Sequence, residues 1–333
     1  MLHFLFMVSS LLYFFPLSTA AQAKKYLTNK SGKWSLHNNL QKSGGEFDVY
    51  VKNVSGIAEW FHKKIPLLEN PKGFDLQATI FGSNDDRYNK RVCNYGIRSQ
   101  LNYEFQLFYT ENGKEYKWTI EPPHWDFEIN NTEQGHGANF CNYEGYKVQT
   151  DNPAWEVPLD KAIANLCDLF VVFPFEKEIA PGVHLYGDGK LIISNPDRPA
   201  FWIPVTVKEV IELKLNFFSI RAEDKQLVYP YIKRVYDEMS MEELNAPAYS
   251  GGDDPVVKVN GKKDGLQIMR FNKDYWDRSL PVSAIQFITM WYLPHDEATM
   301  QEFISNNNGR PDYARLVMDE LPLNELGGLI RKK

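Results

Sequence analysis

Cysteine is scarce in this chain: Cys93, Cys141 and Cys167 are the only three among 333 residues. An odd set allows at most one bridge, so a disulfide scaffold is excluded and folding must rest on a packed core. Cys93 and Cys141, each followed by Asn-Tyr in polar surroundings, are the expected disulfide pair. Cys167 lies in an apolar run and reads as a small buried hydrophobe. Excess positive charge is missing too. The 37 basic against 43 acidic side chains give a formal charge of -6, which argues against nucleic acid or an anionic membrane as partner, since either selects a basic stripe. Also lacking is any H-E-x-x-H, C-x-x-C, G-x-S-x-G, Walker-loop or G-x-G-x-x-G pattern. That removes the motif-bearing zincins, α/β-hydrolases and nucleotide-binding enzymes and leaves the cofactor unknown. No metal is expected, because Ser250, Asp253, Asp254 and Asp264 gather oxygen atoms but miss the EF-hand spacing.

Long apolar runs are few, and the main one stands at the start. Leu2 to Leu17 is interrupted only by His3, Ser9, Ser10 and a Pro16 break, then passes into Ala21-Gln22-Ala23 and the pair Lys24-Lys25. Small-x-small after an apolar run is the grammar of a secretory signal peptide, so residues 1–23 are expected to be removed. The run is shorter than the roughly 20 residues a spanning helix needs. The expected product is exported, periplasmic or secreted, with no stable membrane insertion once the signal is gone.

What remains reads as α+β, with a mixed sheet, long antiparallel hairpins, packed helices and a helical tail. Phe47, Val49 and Val51 alternate with polar residues and predict a strand, and Ser55 then caps a helix whose face is Ile57, Trp60, Phe61 and Ile65. Leu101, Tyr103, Phe105, Leu107 and Tyr109 alternate, Asn112-Gly113 turns, and Tyr116, Trp118 and Ile120 alternate back, predicting an aromatic hairpin. A strand near 125–129 joins the same sheet. Residues 159–170 predict a helix, 183–194 a second hairpin turning at Gly187-Asp188-Gly189, and 284–293 a buried strand. Thr206-x-x-Glu209 and Ser240-x-x-Glu243 are capping boxes. The first opens a helix lined by Val207, Val210, Ile211, Lys214, Phe217 and Phe218, and a helix around 231–239 precedes the second. His295-Asp-Glu297 starts the tail, which holds two or three helices. Residues 149–158 suggest a hinge between regions 24–157 and 158–333, which form one domain or two.

One constellation has the residue types for chemistry. His124, Asp126 and Glu128 project from one face of a strand while Trp125 and Phe127 point to the other, and His136 follows in a glycine-flanked loop. A histidine beside carboxylates can act as general base or hold a metal. The plainer reading is a solvated strand face beside a loop, and it is the expected one; the four residues are the catalytic candidates if chemistry occurs here. Trp125 and Trp155, among polar residues and prolines, are read as exposed rings able to stack on sugars. The expected role is therefore binding of a ligand or partner, such as a glycan or envelope component. The alternative is a hydrolase of envelope or extracellular polymers.

The segments Asn195-Pro-Asp-Arg-Pro-Ala-Phe-Trp-Ile-Pro-Val-Thr-Val-Lys-Glu209 and Phe271-Asn-Lys-Asp-Tyr-Trp-Asp-Arg-Ser-Leu-Pro281 resemble parts of uncharacterised exported bacterial proteins. The resemblance implies export and a bacterial origin. It carries no activity and no site residue.

Overall fold

The computed structural model describes residues 24–82, 95–131, 138–139, 166, 168–220, 222–251, 254, 256–263 and 265–330. The signal segment, Cys93, Cys141, Cys167, His136, Trp155, Asp253, Asp264 and the hinge at 149–158 lie outside the described residues.

The order begins with β1 (Lys25–Tyr26), β2 (Trp34–Asn38), α1 (Glu46–Lys64), α2 (Pro66–Glu69), β3 (Phe74–Phe81), β4 (Ser99–Glu111), β5 (Lys114–Lys117) and β6 (His124–Ile129). It continues through β7 (Ala138–Asn139), β8 (Leu169–Val172), β9 (Phe175–Ala180), β10 (Val183–Tyr186), β11 (Lys190–Ser194) and β12 (Trp202–Pro204). Next come α3 (Val207–Ile220), α4 (Ala222–Glu238), α5 (Met241–Asn245), β13 (Tyr249–Ser250), β14 (Val259–Asn260), β15 (Gln267–Phe271) and β16 (Phe287–Trp291). The tail holds α6 (Glu297–Asn306), α7 (Tyr313–Asp319) and a 3-10 segment over Leu323–Leu329. The class is α+β.

Two sheets organise these elements. The larger runs β2-β3-β4-β6-β16-β11-β10-β9, with β1 and β5 also paired to β4. Only β2 and β3 are parallel within it, so the sheet is mixed, and it draws strands from both halves of the sequence. The smaller runs β14-β13-β15-β8-β7, with β12 on β15. Period-two alternation gives each strand two faces. Leu76, Leu101, Tyr103, Trp125, Phe127, Ile288, Met290, Leu191 and Ile193 face one way, into a core shared with α1 and α7. Tyr186, Ile192 and Phe287 face the other way and meet Phe170, Val172, Trp202 and Phe271 of the smaller sheet. The smaller sheet turns Leu169, Val171 and Ile268 outward onto α3. The result is four layers, helix, sheet, sheet, helix.

Three readings are corrected. Phe47, Val49 and Val51 belong to α1, not to a strand, and Ser55 lies inside that helix instead of capping it. Tyr50, Val54, Ile57, Ala58 and Phe61 recur at helical spacing and are buried, and that longer face outweighs a three-residue alternation that leaves Val49 46% exposed. Leu169 and Phe170 are strand, not the end of a helix. All four residues of β8 are buried, because β8 lies between β15 and β7 and is covered on both faces, where strands read as continuous apolar runs. The helix placed near Tyr231 starts at Ala222 and carries Pro230 in its interior.

Other local readings match. Asn112 and Gly113 have φ of 52° and 75°, the two positive angles the hairpin turn needs. Tyr109 pairs with Tyr116 across it; the return strand stops at Lys117. Thr206 and Glu209 close their capping box at 2.8 and 3.2 Å, and the six residues read as the packing face of α3 are those it buries. Ser240 and Glu243 form the second box, and Asp296 caps α6.

His62, in the last turn of α1, stacks on Trp34 of β2 with ring centroids 4.4 Å apart. Its Nε2 is buried with no hydrogen-bond partner among the described residues. Burial holds the imidazole below its ordinary value of 6.5; Lys63 acts in the same direction, and Glu69 and Glu59 oppose it. An unfolded chain therefore takes up this proton first, so the His62 contribution is complete above about pH 6.5 and is lost as pH falls below it. Urea midpoints between pH 8 and 5 are expected to fall less steeply for His62→Phe than for wild type. Parallel pH curves would remove His62 as the cause.

Candidate functional site

The face of the larger sheet that meets the smaller sheet changes character along its width. On β10, β11 and β16 it carries Tyr186, Ile192 and Phe287, which the smaller sheet covers, together with Lys190, Ser194 and Thr289. On β3, β4 and β6 the same face carries Gln77, Thr79, Gln100, Asn102, Glu104, Gln106, His124, Asp126 and Glu128, as alternation from their core-facing neighbours requires. Register sets these side chains in rows across the strands. Gln77, Glu104 and His124 form one row, Thr79, Asn102 and Asp126 the next, and Gln100, Glu128, Thr289 and Ile192 the third. The third row runs from polar to apolar, so Glu128 and Thr289 mark the boundary where the smaller sheet begins to cover the larger.

Along β6 exposure falls in steps. The His124 side chain is 56% exposed and that of Asp126 36%, whereas Glu128 as a residue is 7% exposed. His124 Nε2 lies 3.3 Å from Asp126 Oδ2, and the Asn102 amide donates to Asp126 Oδ1. Both oxygens of Asp126 are thus held. The Gln100 amide donates to Glu128 Oε1, and Asn131 donates to Oε2 at 2.9 Å. Burial nevertheless raises the Glu128 pKa above the ordinary carboxylate value; the two amides and the Lys190 charge oppose the rise, and Asp126 adds to it.

Lys190 enters from β11, opposite Trp291 of β16. Its ammonium sits 3.8 Å from the centroid of the Trp291 ring. The residue is 6% exposed, and burial lowers its pKa against the charges of Asp188, Glu128 and Asp126. Trp291 itself is 41% exposed. Thr289, across from Glu128, is fully buried, and its hydroxyl has no partner among the described residues. A buried hydroxyl without a partner is costly.

The structure therefore brings together three of the four catalytic candidates, His124, Asp126 and Glu128, on one face; His136 lies outside the described residues. Trp125 is corrected. It is 1% exposed, packed on Phe61, Tyr103 and Phe127, with its indole N–H donating to the Trp291 carbonyl at 3.1 Å. It faces the core, opposite to Asp126, and cannot stack on a ligand. Lys190, Thr289, Trp291 and the amides of Gln100 and Asn102 were not among the candidates. The signal for the amides is in the sequence, since every polar position alternating with Leu101, Tyr103 and Phe105 is an amide or a carboxylate. Among the described residues no group of three or more His, Cys, Asp or Glu side chains is placed to hold a metal. No family model matches the chain, and neither a curated protein nor a solved structure is found to be similar to it.

Proposed function

We propose that this is an exported protein that binds a hydroxyl-rich ligand, a glycan or envelope saccharide, on the polar part of the larger sheet. The observation that carries the reading is a row of buried polar groups beside the solvent-open His124 and Asp126. Asn102, Gln106, Glu128, Lys190 and Thr289 are 7, 9, 7, 6 and 0% exposed. Burying such groups costs free energy that apolar residues would not. Amides and carboxylates suit sugar hydroxyls, which both donate and accept. The half-exposed Trp291 offers an indole at the rim. Export rests on residues 1–23 and on the resemblance of the 195–209 and 271–281 segments. Among the described residues no helix is long and apolar enough to cross a membrane.

The exported chain, its N-terminus sequencing from Lys24, is expected to be retained on an array of neutral oligosaccharides. Asp126→Ala removes a charged acceptor and should weaken retention roughly 10-fold or more. A wild-type chain that passes every neutral saccharide, or an Asp126→Ala chain retained as well as wild type, would sink the reading.

A further inference from the structure

We propose that β2 is a dimerisation strand, pairing antiparallel with β2 of a second copy of this chain about a two-fold axis at Leu36. β2 ends the larger sheet, and among the described residues no strand lies beyond it. Trp34, Leu36 and Asn38 are matched with Leu76, Ala78 and Ile80 of β3 in a parallel ladder. The Lys33 carbonyl accepts from the Leu76 N–H at 2.8 Å, and the Asn39 N–H donates to the Ile80 carbonyl at 2.8 Å. The odd-numbered residues therefore turn their backbone groups toward β3, and the residues between them turn theirs away. The N–H and C=O groups of Trp34, Leu36 and Asn38 form an outward row on which a further strand can pair.

Sheet edges are ordinarily blunted by charge, irregularity or shortness. The other edges here follow that rule. β9, at the opposite end of the sheet, carries Glu176, Lys177 and Glu178 and shifts register twice against β10. β5 carries Lys114, Glu115 and Lys117, β12 ends on Pro204, and β7 and β14 have two residues each. β2 has none of these devices: Trp-Ser-Leu-His-Asn holds no Lys, Arg, Asp, Glu or Pro, and its register against β3 runs without a shift.

The strand is complementary to itself, which identifies the occupant. Two-fold pairing is the commonest way for a protein to associate with its own copy. An axis at Leu36 sets Leu36 beside the partner's Leu36, Trp34 beside the partner's Asn38, and Ser35 beside the partner's His37. The outward-turned residues then meet one another, each pair exchanging two N–H···O bonds, and no two like charges are opposed. β9 fails the same operation, because an axis at Glu176, Lys177 or Glu178 sets that charge against its own copy. Trp34 and Leu36 are only half-buried against the core, so the second strand also covers apolar surface that the edge leaves open. Ser35 and His37 lie on the other face beside Gln77 and Thr79, at the head of the polar rows that end on His124 and Asp126. The dimer joins the polar face to its copy across the axis. It does not rest on the saccharide reading, and either can fail without the other.

The test is sedimentation of the exported chain over roughly 1–300 µM, since one pair of short strands is a small interface and fits micromolar affinity. Wild type is expected to pass from the mass of one chain to that of two across this range. Asn38→Pro removes an outward N–H and none of the inward bonds, and should weaken the dimer about 10-fold or more. Ser35→Lys with His37→Lys opposes lysines across the axis and should weaken it comparably. Ser35→Glu with His37→Lys sets opposite charges there and should hold the dimer at least as well as wild type. Melting close to wild type shows that a variant is folded, and the two charge variants, at half-buried Ser35 and exposed His37, decide the matter if Asn38→Pro misfolds. A wild-type chain that stays a monomer throughout overturns the proposal and leaves the edge to some other extended chain. A dimer that every variant retains is made elsewhere and overturns it as well. A dimer lost equally in both charge variants overturns the axis at Leu36.

Discussion

Replacing Asn130 with alanine is expected to cost on the order of 4 kcal/mol, read as a lowered urea midpoint. Asn130 closes β6 two residues after Glu128 and is fully buried. Its amide donates to the carbonyls of Ile97 at 3.0 Å and Ala284 at 2.8 Å. Its carbonyl accepts from the backbone N–H groups of Gln286 at 2.8 Å and Phe287 at 3.2 Å. One side chain thus ties three chain segments together where β6 and β16 come side by side. Alanine would orphan three buried backbone groups and the part-buried Ala284 carbonyl, each buried one worth about 1–3 kcal/mol when left without a partner and no water replaces it. The φ of Asn130 is 54°, a left-handed conformation that asparagine tolerates better than alanine, which adds about 1 kcal/mol. With typical domain stabilities of about 5–15 kcal/mol, this is a large fraction of the whole. Asn130→Gly removes the backbone conflict but not the orphaned groups, so it should recover only a small part. A loss below about 1 kcal/mol for Asn130→Ala would show that the four bonds do not hold this junction.

Trp125→Ala is expected to lose about 3–5 kcal/mol, the range for deleting a large aromatic from a packed core. Trp125 lies 5.4 Å from Phe61, 5.9 Å from Tyr103 and 4.3 Å from Phe127, ring centroid to ring centroid. It joins α1 to the sheet, and its N–H holds the carbonyl of Trp291. Trp125→Phe keeps much of the ring contact and should recover more than half of the loss. An indole exposed for stacking would give the opposite result, weaker ligand binding with stability unchanged. Thermal or urea unfolding of the two variants separates these outcomes.

Much of the local structure was legible from single segments. Capping boxes, an Asn-Gly turn and the packing face of α3 each depend on residues within a few positions of one another, so the chemistry that fixes them is written side by side. α1 was misread at its start because Phe47, Val49 and Val51 fit a period of two as well as they fit the first turn of a helix. Only the continuation through Tyr50, Val54, Ile57 and Phe61 decides between them. The site was legible along one strand and not across strands. His124, Asp126 and Glu128 share a face by alternation alone. That Thr289 lies across from Glu128, and Lys190 across from Trp291, follows from the register of β16 against β6 and β11. Nothing in the sequence near Glu128 specifies that register. The exposure of Trp125 was misjudged for the same reason: its neighbours in sequence are polar, while its neighbours in space come from α1 and β4.

The pairing of β6 with β16 also has a consequence for how the chain is made. Ile129 is matched with Ile288, so the middle of the larger sheet cannot zip until synthesis has passed residue 288. Until then β6 presents an unpaired edge, and an unpaired edge is a template for aggregation. Contacts this distant in sequence are slow to form, because the entropy of closing the loop is lost before any pairing offsets it. β16 is the last strand of the larger sheet in sequence, and it alone joins β6 to β11, so the two halves of that sheet stay separate until the end of the chain is made.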